Sequence, residues 1–209
     1  MLKYIIISIV FLFTLAVKGQ EENSLKLAAD GGDPVAQFNL GNLYKDQEKF
    51  DLAEHYYKLS ADSGDEDALS SLGRLYYEQE KFELAERFYK LAVDSGHSGA
   101  QTNLGNLYYN QGKVDLAEYY YKLAADSGHT SAQYNLGLLY DNQEKFDLAE
   151  HFYKLAADSG YTTAQYNLGL LYYNQEKFEL AEHYWKLAAD CGYQDAQKNL
   201  EILYRSLGK

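Results

Sequence analysis

Cysteine is almost absent from this chain of 209 residues. Cys191 stands alone, which excludes an internal disulfide framework. Proline occurs once, at Pro34, so little in the sequence interrupts helix propagation. No long apolar run follows Val17, and nothing beyond it approaches the roughly 20 apolar residues of a membrane span. Positive charge is scarce as well. The 19 Lys and Arg face 31 Asp and Glu, a formal net charge of −12. Such a surface repels nucleic acid phosphates and acidic membranes, so nucleic-acid binding is disfavoured.

The motifs of catalysis are missing too. There is no Gly-x-Ser-x-Gly turn, no phosphate-cradling glycine loop and no evident nucleophile–base set. Acidic residues recur at every exposed slot, so no carboxylate pair stands out as acid and base. Of the five histidines, His55, His151 and His183 share one repeated slot, and His97 and His129 share another. None forms a His-x-x-x-His pair and no cysteine cluster accompanies them. The sequence therefore nominates no catalytic residue, no metal ligand and no cofactor.

What is abundant is repetition. The pair Leu40-Gly41 returns as Leu72-Gly73, Leu104-Gly105, Leu136-Gly137 and Leu168-Gly169, and the sixth register reads Leu200-Glu201. The period is 32 residues. Self-similarity at this length marks units that bury their apolar faces only against neighbours. With 22 tyrosines and 15% aromatic residues, the chain has ample material for such a core and is not disordered.

Residues 1–19 stand apart. Lys3 gives a basic start, Tyr4 to Val17 form an apolar run, and Val17-Lys18-Gly19 precedes a possible cleavage point. That is the grammar of a secretory signal peptide, and it predicts a mature chain starting near Gln20, secreted or periplasmic. An uncleaved membrane anchor is the less favoured alternative. Taking Lys3 and Lys18 off the 19 basic residues leaves 17 against 31 acidic ones, a net charge of about −14.

Each period predicts two amphipathic helices. The first, exemplified by residues 36–47, places Ala36, Gln37, Leu40, Gly41, Leu43 and Tyr44 on one face. Glu48-Lys49 turns the chain, with Gly112 in the glutamate's place in the third copy. The second helix, residues 51–62, is expected to bury Leu52, Ala53, Tyr56 or Tyr57, Leu59 and Ser60. Gly64, Gly96, Gly128, Gly160 and Gly192 then fit left-handed helix ends, and Asp33, Ser98, Thr130 and Thr162 are N-cap candidates. A glycine inside a helix costs about 1 kcal/mol against alanine, so its recurrence implies close approach of the second helix, with Ala53, Ala85, Ala117, Ala149 and Ala181 facing it. The expected organisation of residues 20–209 is a half unit (20–32), five helix pairs (33–193) and a C-terminal capping helix (194–209).

Asn-Leu-Gly-x-Leu-Tyr, an alanine twelve residues after the glycine and an aromatic four later resemble the tetratricopeptide repeat. The segment AADSGHTSAQYNLG resembles the related Sel-one-like repeat. The likeness covers about residues 24–207. It implies an all-α fold, a right-handed superhelical solenoid of helix-turn-helix repeats, with a concave face that binds a protein or peptide.

On that resemblance, the face opposite the buried stripe of each first helix carries the partner. Reading it by copy gives Phe38/Asn42/Lys45, Ser70/Arg74/Tyr77, Thr102/Asn106/Tyr109, Tyr134/Leu138/Asp141 and Tyr166/Leu170/Tyr173, followed by Ile202 in the cap. The partner-binding candidates are Phe38, Asn42, Arg74, Tyr77, Asn106, Tyr109, Tyr134, Leu138, Tyr166, Leu170, Tyr173 and Ile202. Tyr134, Leu138, Tyr166, Leu170, Tyr173 and Ile202 should form an apolar strip, the usual mark of an interaction surface; burial between neighbouring first helices is the competing explanation. The row Asn39, Asn103, Asn135, Asn167 and Asn199 fits ties between repeats better than ligand contacts. The pairs Glu54/Lys58 through Glu182/Lys186 read as a solvated outer face. The sequence thus points to an exported, non-enzymatic scaffold for a protein or peptide. The alternatives are an envelope polysaccharide or peptidoglycan binder, a structural spacer in an envelope assembly, and a hydrolase on a Sel-one-like scaffold.

Overall fold

The computed structural model describes residues 20 and 22–208. The signal-peptide expectation falls on residues 1–19, outside the described residues. Among the described residues the regular structure is helical throughout, without strands. Residues 22–30 form α1. There follow α2 (Pro34–Asp46), α3 (Phe50–Asp62), α4 (Glu66–Glu78), α5 (Phe82–Asp94), α6 (Ser98–Asn110), α7 (Val114–Asp126), α8 (Thr130–Asn142), α9 (Phe146–Asp158), α10 (Thr162–Asn174), α11 (Phe178–Asp190) and α12 (Gln194–Ser206). Two compact units divide the chain, Met1–Ala100 and Gln101–Lys209.

Within each unit, a first helix packs on the second helix of its own copy, which packs in turn on the next first helix: α2 on α3 and α3 on α4 in one unit, α8 on α9 and α9 on α10 in the other. The core of the first unit is built on Leu40, Leu72 and Leu75, and that of the second on Leu104, Leu107, Leu136, Leu139, Leu168 and Leu203, all inaccessible to solvent or nearly so.

The helical glycine does make room, but for a ring rather than for alanine. A Cβ on Gly41 would lie 2.5 Å from the Tyr57 ring, on Gly73 2.4 Å from Tyr89, on Gly137 2.6 Å from Tyr153 and on Gly169 2.4 Å from the Trp185 indole. The expected alanines, such as Ala149 and Ala181, are buried beside these rings. The aromatic four residues after each alanine is thus what removes the Cβ, because an upright ring needs the space of a side chain.

Other local expectations shift. Tyr56 and Tyr57 are both buried, whereas Leu52 is 42% exposed and Leu59 half-buried. The second helix is rotated so that two adjacent tyrosines span the interface and the leucines flank it. Ser98, Thr130 and Thr162 are the first residues inside their helices, not caps. The capping position falls one residue earlier, where His97 Nδ1 accepts from the Ala100 amide at 2.9 Å. Asp33 does cap α2, its carboxylate accepting from the amides of Val35 and Ala36. The link residues Glu48, Glu80, Glu144 and Glu176 take φ near +58°, and Gly112 has φ 70° in the same slot. Four non-glycine residues are therefore held in a left-handed conformation that glycine adopts freely.

Candidate functional site

In the second unit, the apolar strip is assembled and partly covered by its own neighbours. The Tyr134 ring lies 5.9 Å from Tyr153 and 5.1 Å from Tyr161. Tyr166 lies 4.7 Å from Tyr193. Tyr173 packs 5.6 Å from Phe178 and 5.4 Å from Trp185. Leu138 and Leu170 are half-buried, and Ile202 is 55% exposed. The rings are thus braced against second-helix and linker aromatics, while the leucines and Ile202 keep accessible surface. In the third copy the corresponding first-row residue, Thr102, is buried.

Three members of the asparagine row, Asn135, Asn167 and Asn199, tie copies together. Asn167 Nδ2 donates to the Tyr134 hydroxyl at 3.3 Å, Asn199 Nδ2 to the Tyr166 hydroxyl at 3.5 Å, and Asn135 Nδ2 to Asn106 Oδ1 at 2.8 Å. Asn106 Oδ1 also accepts from the Tyr121 hydroxyl at 2.8 Å, so this carbonyl, a ligand candidate from sequence, already serves the fold. Tyr109 is engaged too, its hydroxyl accepting from Asn142 Nδ2 at 3.0 Å. Buried glutamines add a second set of ties: Gln133 Nε2 donates to the Ala125 carbonyl and Gln165 Nε2 to that of Ala157.

In the first unit, Phe38 is half-buried with its ring 5.9 Å from Tyr57. Asn42 Oδ1 accepts from the Tyr57 hydroxyl at 2.7 Å. Burial pushes that hydroxyl up to about 12, against the opposing pull of Arg74 nearby. Arg74 is exposed, Ser70 buried and Tyr77 half-buried with its ring 5.8 Å from Phe82. Lys45 pairs with Glu78 at 3.3 Å.

The glutamate–lysine row is less solvated than its pattern implies. Lys122 and Lys186 reach Glu118 and Glu182 at 2.6 Å, but these glutamates also accept from hydroxyls of the following copy. Tyr140 donates to Glu118 at 2.9 Å and Tyr204 to Glu182 at 3.0 Å. The Lys122 bond holds the Glu118 carboxyl below its usual value, with the Tyr140 hydroxyl reinforcing it against burial. In the fourth copy, Tyr172 donates to Glu150 at 3.0 Å and Lys177 replaces the in-helix lysine at 3.6 Å.

One acidic side chain departs from this order. Asp141 lines a cleft of about 280 Å³ with Phe146, Leu170, Leu171, Asn174 and Gln175. Its Oδ2 accepts from the Tyr153 hydroxyl at 3.3 Å, and burial pushes its carboxyl above the ordinary value despite that bond. Sequence reading placed Asp141 on the face without selecting it. The available signal was its place as the one acid in the row Lys45, Tyr77, Tyr109, Asp141 and Tyr173. Among the described residues, no group of three His, Cys, Asp or Glu side chains is placed to hold a metal ion, and no helix is long and apolar enough to cross a membrane. Cys191 is exposed at the end of α11.

Solved structures place this geometry among helical-repeat proteins. c5321, a protective antigen present in uropathogenic Escherichia coli strains and displaying an SLR fold, aligns with a TM-score of 0.73 at 26% identity over 88% of this chain. The chain spans 44% of the length of c5321. A Sel1 repeat protein from Oxalobacter formigenes gives a TM-score of 0.68 at 27% identity, covering 82% of this chain and 79% of that one. YrrB, described as a TPR protein with an unusual peptide-binding site, gives 0.55 at 21% identity, covering 94% and 98%; at that identity the likeness concerns the fold alone. No curated protein matches the chain in sequence. The Sel1 repeat profile matches residues 162–193, and the tetratricopeptide repeat profile matches residues 38–100, 72–132 and 102–161. The chain belongs to the tetratricopeptide repeat family, a class of scaffold typical of protein–protein interaction, and carries a Sel1-type copy next to its last helix.

Proposed function

We propose that the protein is an exported, non-enzymatic scaffold that holds a protein or peptide partner along the first-helix face of its second unit. The supporting observation is the accessible aliphatic surface of Leu138, Leu170 and Ile202, set among tyrosines whose rings are braced within their own copies and whose hydroxyls accept from asparagines that follow. Rigid, preorganised apolar contacts bind a partner with little entropy left to lose. The sugar-stacking alternative draws less support, because Tyr134 and Tyr166 lie against other rings. Export rests on the sequence of residues 1–19.

Two measurements test this. Affinity capture from the envelope fraction of the exporting cell should recover a protein with the wild-type chain and lose it with Leu138→Glu, while circular dichroism of the variant stays helical. Capture unaffected by that charge would end the strip's role. N-terminal sequencing of the exported chain should begin near Gln20.

A further inference from the structure

The fourth and fifth copies differ where it matters for an open cleft. In the fifth, Tyr173 stands one turn beyond Leu170 and packs on Phe178 and Trp185. In the first unit Tyr77 meets Phe82 in the same way. In the fourth copy the tyrosine is replaced by Asp141, and the ring that would have covered Phe146 is gone. Phe146 is 46% exposed, against 37% for Phe82, and Phe178 is half-buried. At this place lies the cleft of about 280 Å³ lined by Asp141, Phe146, Leu170, Leu171, Asn174 and Gln175.

A half-buried carboxylate is held at one wall of this apolar cleft. Among the described residues Tyr153 is its side-chain partner, a neutral donor that leaves the negative charge uncompensated. Taking a charge out of water is unfavourable unless it is paired. We infer that the Asp141 cleft receives a lysine or arginine side chain of the bound protein segment, the aliphatic stem lying on Phe146 and Leu170 and the cationic head reaching the Asp141 carboxylate. The stem and head of such a side chain divide as the walls do. A chain of net charge −12 also favours partners with basic segments. This inference rests on the partner-binding reading above and specifies the chemistry at one point of it.

The test uses capped single amino acids as probes, followed by amide NMR of the full chain. N-acetyl-lysine methylamide and its arginine counterpart should shift the amides of Phe146 and Asn174 saturably. Their midpoints should be about tenfold lower than that of the neutral norleucine probe, the factor a charge-assisted hydrogen bond supplies. Asp141→Asn, which keeps the shape, should erase that preference, and Asp141→Tyr should abolish binding of all three by refilling the cleft. Equal response to lysine and norleucine, an unchanged preference in Asp141→Asn, or no saturable response to either cationic probe would each overturn the inference. Leu138 does not line the cleft, so Leu138→Glu should leave the probe midpoints unaltered. Partner capture lost in Leu138→Glu without any lysine response therefore ends the cleft inference alone. A lysine response with capture indifferent to Leu138→Glu ends the strip reading alone.

Discussion

Copies 130–161 and 162–193 share all but a few residues, yet Asp141 of the first lines a cleft where Tyr173 of the second packs on Phe178 and Trp185. The differences that matter are Asp141 for Tyr173 and Tyr153 for Trp185. In the fifth copy the indole fills the glycine notch and donates from Nε1 to the Tyr166 carbonyl at 3.2 Å, and Tyr173 packs on it. In the fourth the smaller Tyr153 fills the notch, and its hydroxyl is directed at Asp141. Two exchanges one helix apart convert an aromatic stack into an apolar cleft with a carboxylate at one wall, on the same backbone. Repetition therefore fixes the scaffold, and its few exceptions are where chemistry enters.

The comparison is sharpened most by removing the two notch rings. Trp185→Ala should cost about 3–5 kcal/mol and Tyr153→Ala an amount near the lower end of that range, read as urea-midpoint shifts with unchanged slope. Equal losses would mean that the fifth copy collapses into the larger void. Next come the glycines. Gly169→Ala and Gly137→Ala should each cost about 1–3 kcal/mol by overpacking, and Gly169→Ala the more, because the indole is tethered to the Tyr166 carbonyl and cannot slide. A neutral result at either glycine would show that the ring swings aside.

Asp141→Asn probes charge rather than volume. The native carboxyl binds its proton more readily than in the unfolded chain, because burial raises its value above 3.8. Its favourable contribution is therefore complete below about that pH and is lost as pH rises through the raised folded value. At neutral pH Asp141→Asn should melt higher than wild type, and the gap should close on acidification toward 3.8. A gap that widens in acid would reverse the assignment. The smallest effect belongs to the links. Glu144→Gly and Glu176→Gly relieve φ near +58° and should each gain about 0.5–1 kcal/mol, the left-handed strain outweighing glycine's entropy. Unequal gains would show that the two copies differ at the turn as well as in the cleft.

Much of this was legible in the sequence. The period, the helix pairs and the need for a small residue at Gly137 or Gly169 follow from spacing and propensity alone. What the glycine accommodates was not legible, since Ala149 and Tyr153 both lie on the facing helix and only the ring's upright stance decides between them. Leu52 defeats the pattern for a related reason: with Tyr56 and Tyr57 spanning the interface, the helix rotates and the leucine moves to its flank. The asparagine ties were readable as ties. The cleft was not, because an acid in a row of tyrosines looks like an ordinary surface variant until the missing ring is seen above Phe146.

The ties between copies have one more implication. At the C-terminal end the partners recur in the last two copies: Asn199 reaches the Tyr166 hydroxyl as Asn167 reaches that of Tyr134, and Tyr204 reaches Glu182 as Tyr172 reaches Glu150. Excising residues 162–193 would bring Asn199 to Tyr134 and Tyr204 to Glu150, with Tyr161 already stacked in Tyr193's place. These two joints are interchangeable, like links of a chain, so the array can lose or gain a copy at this end without either joint being redesigned.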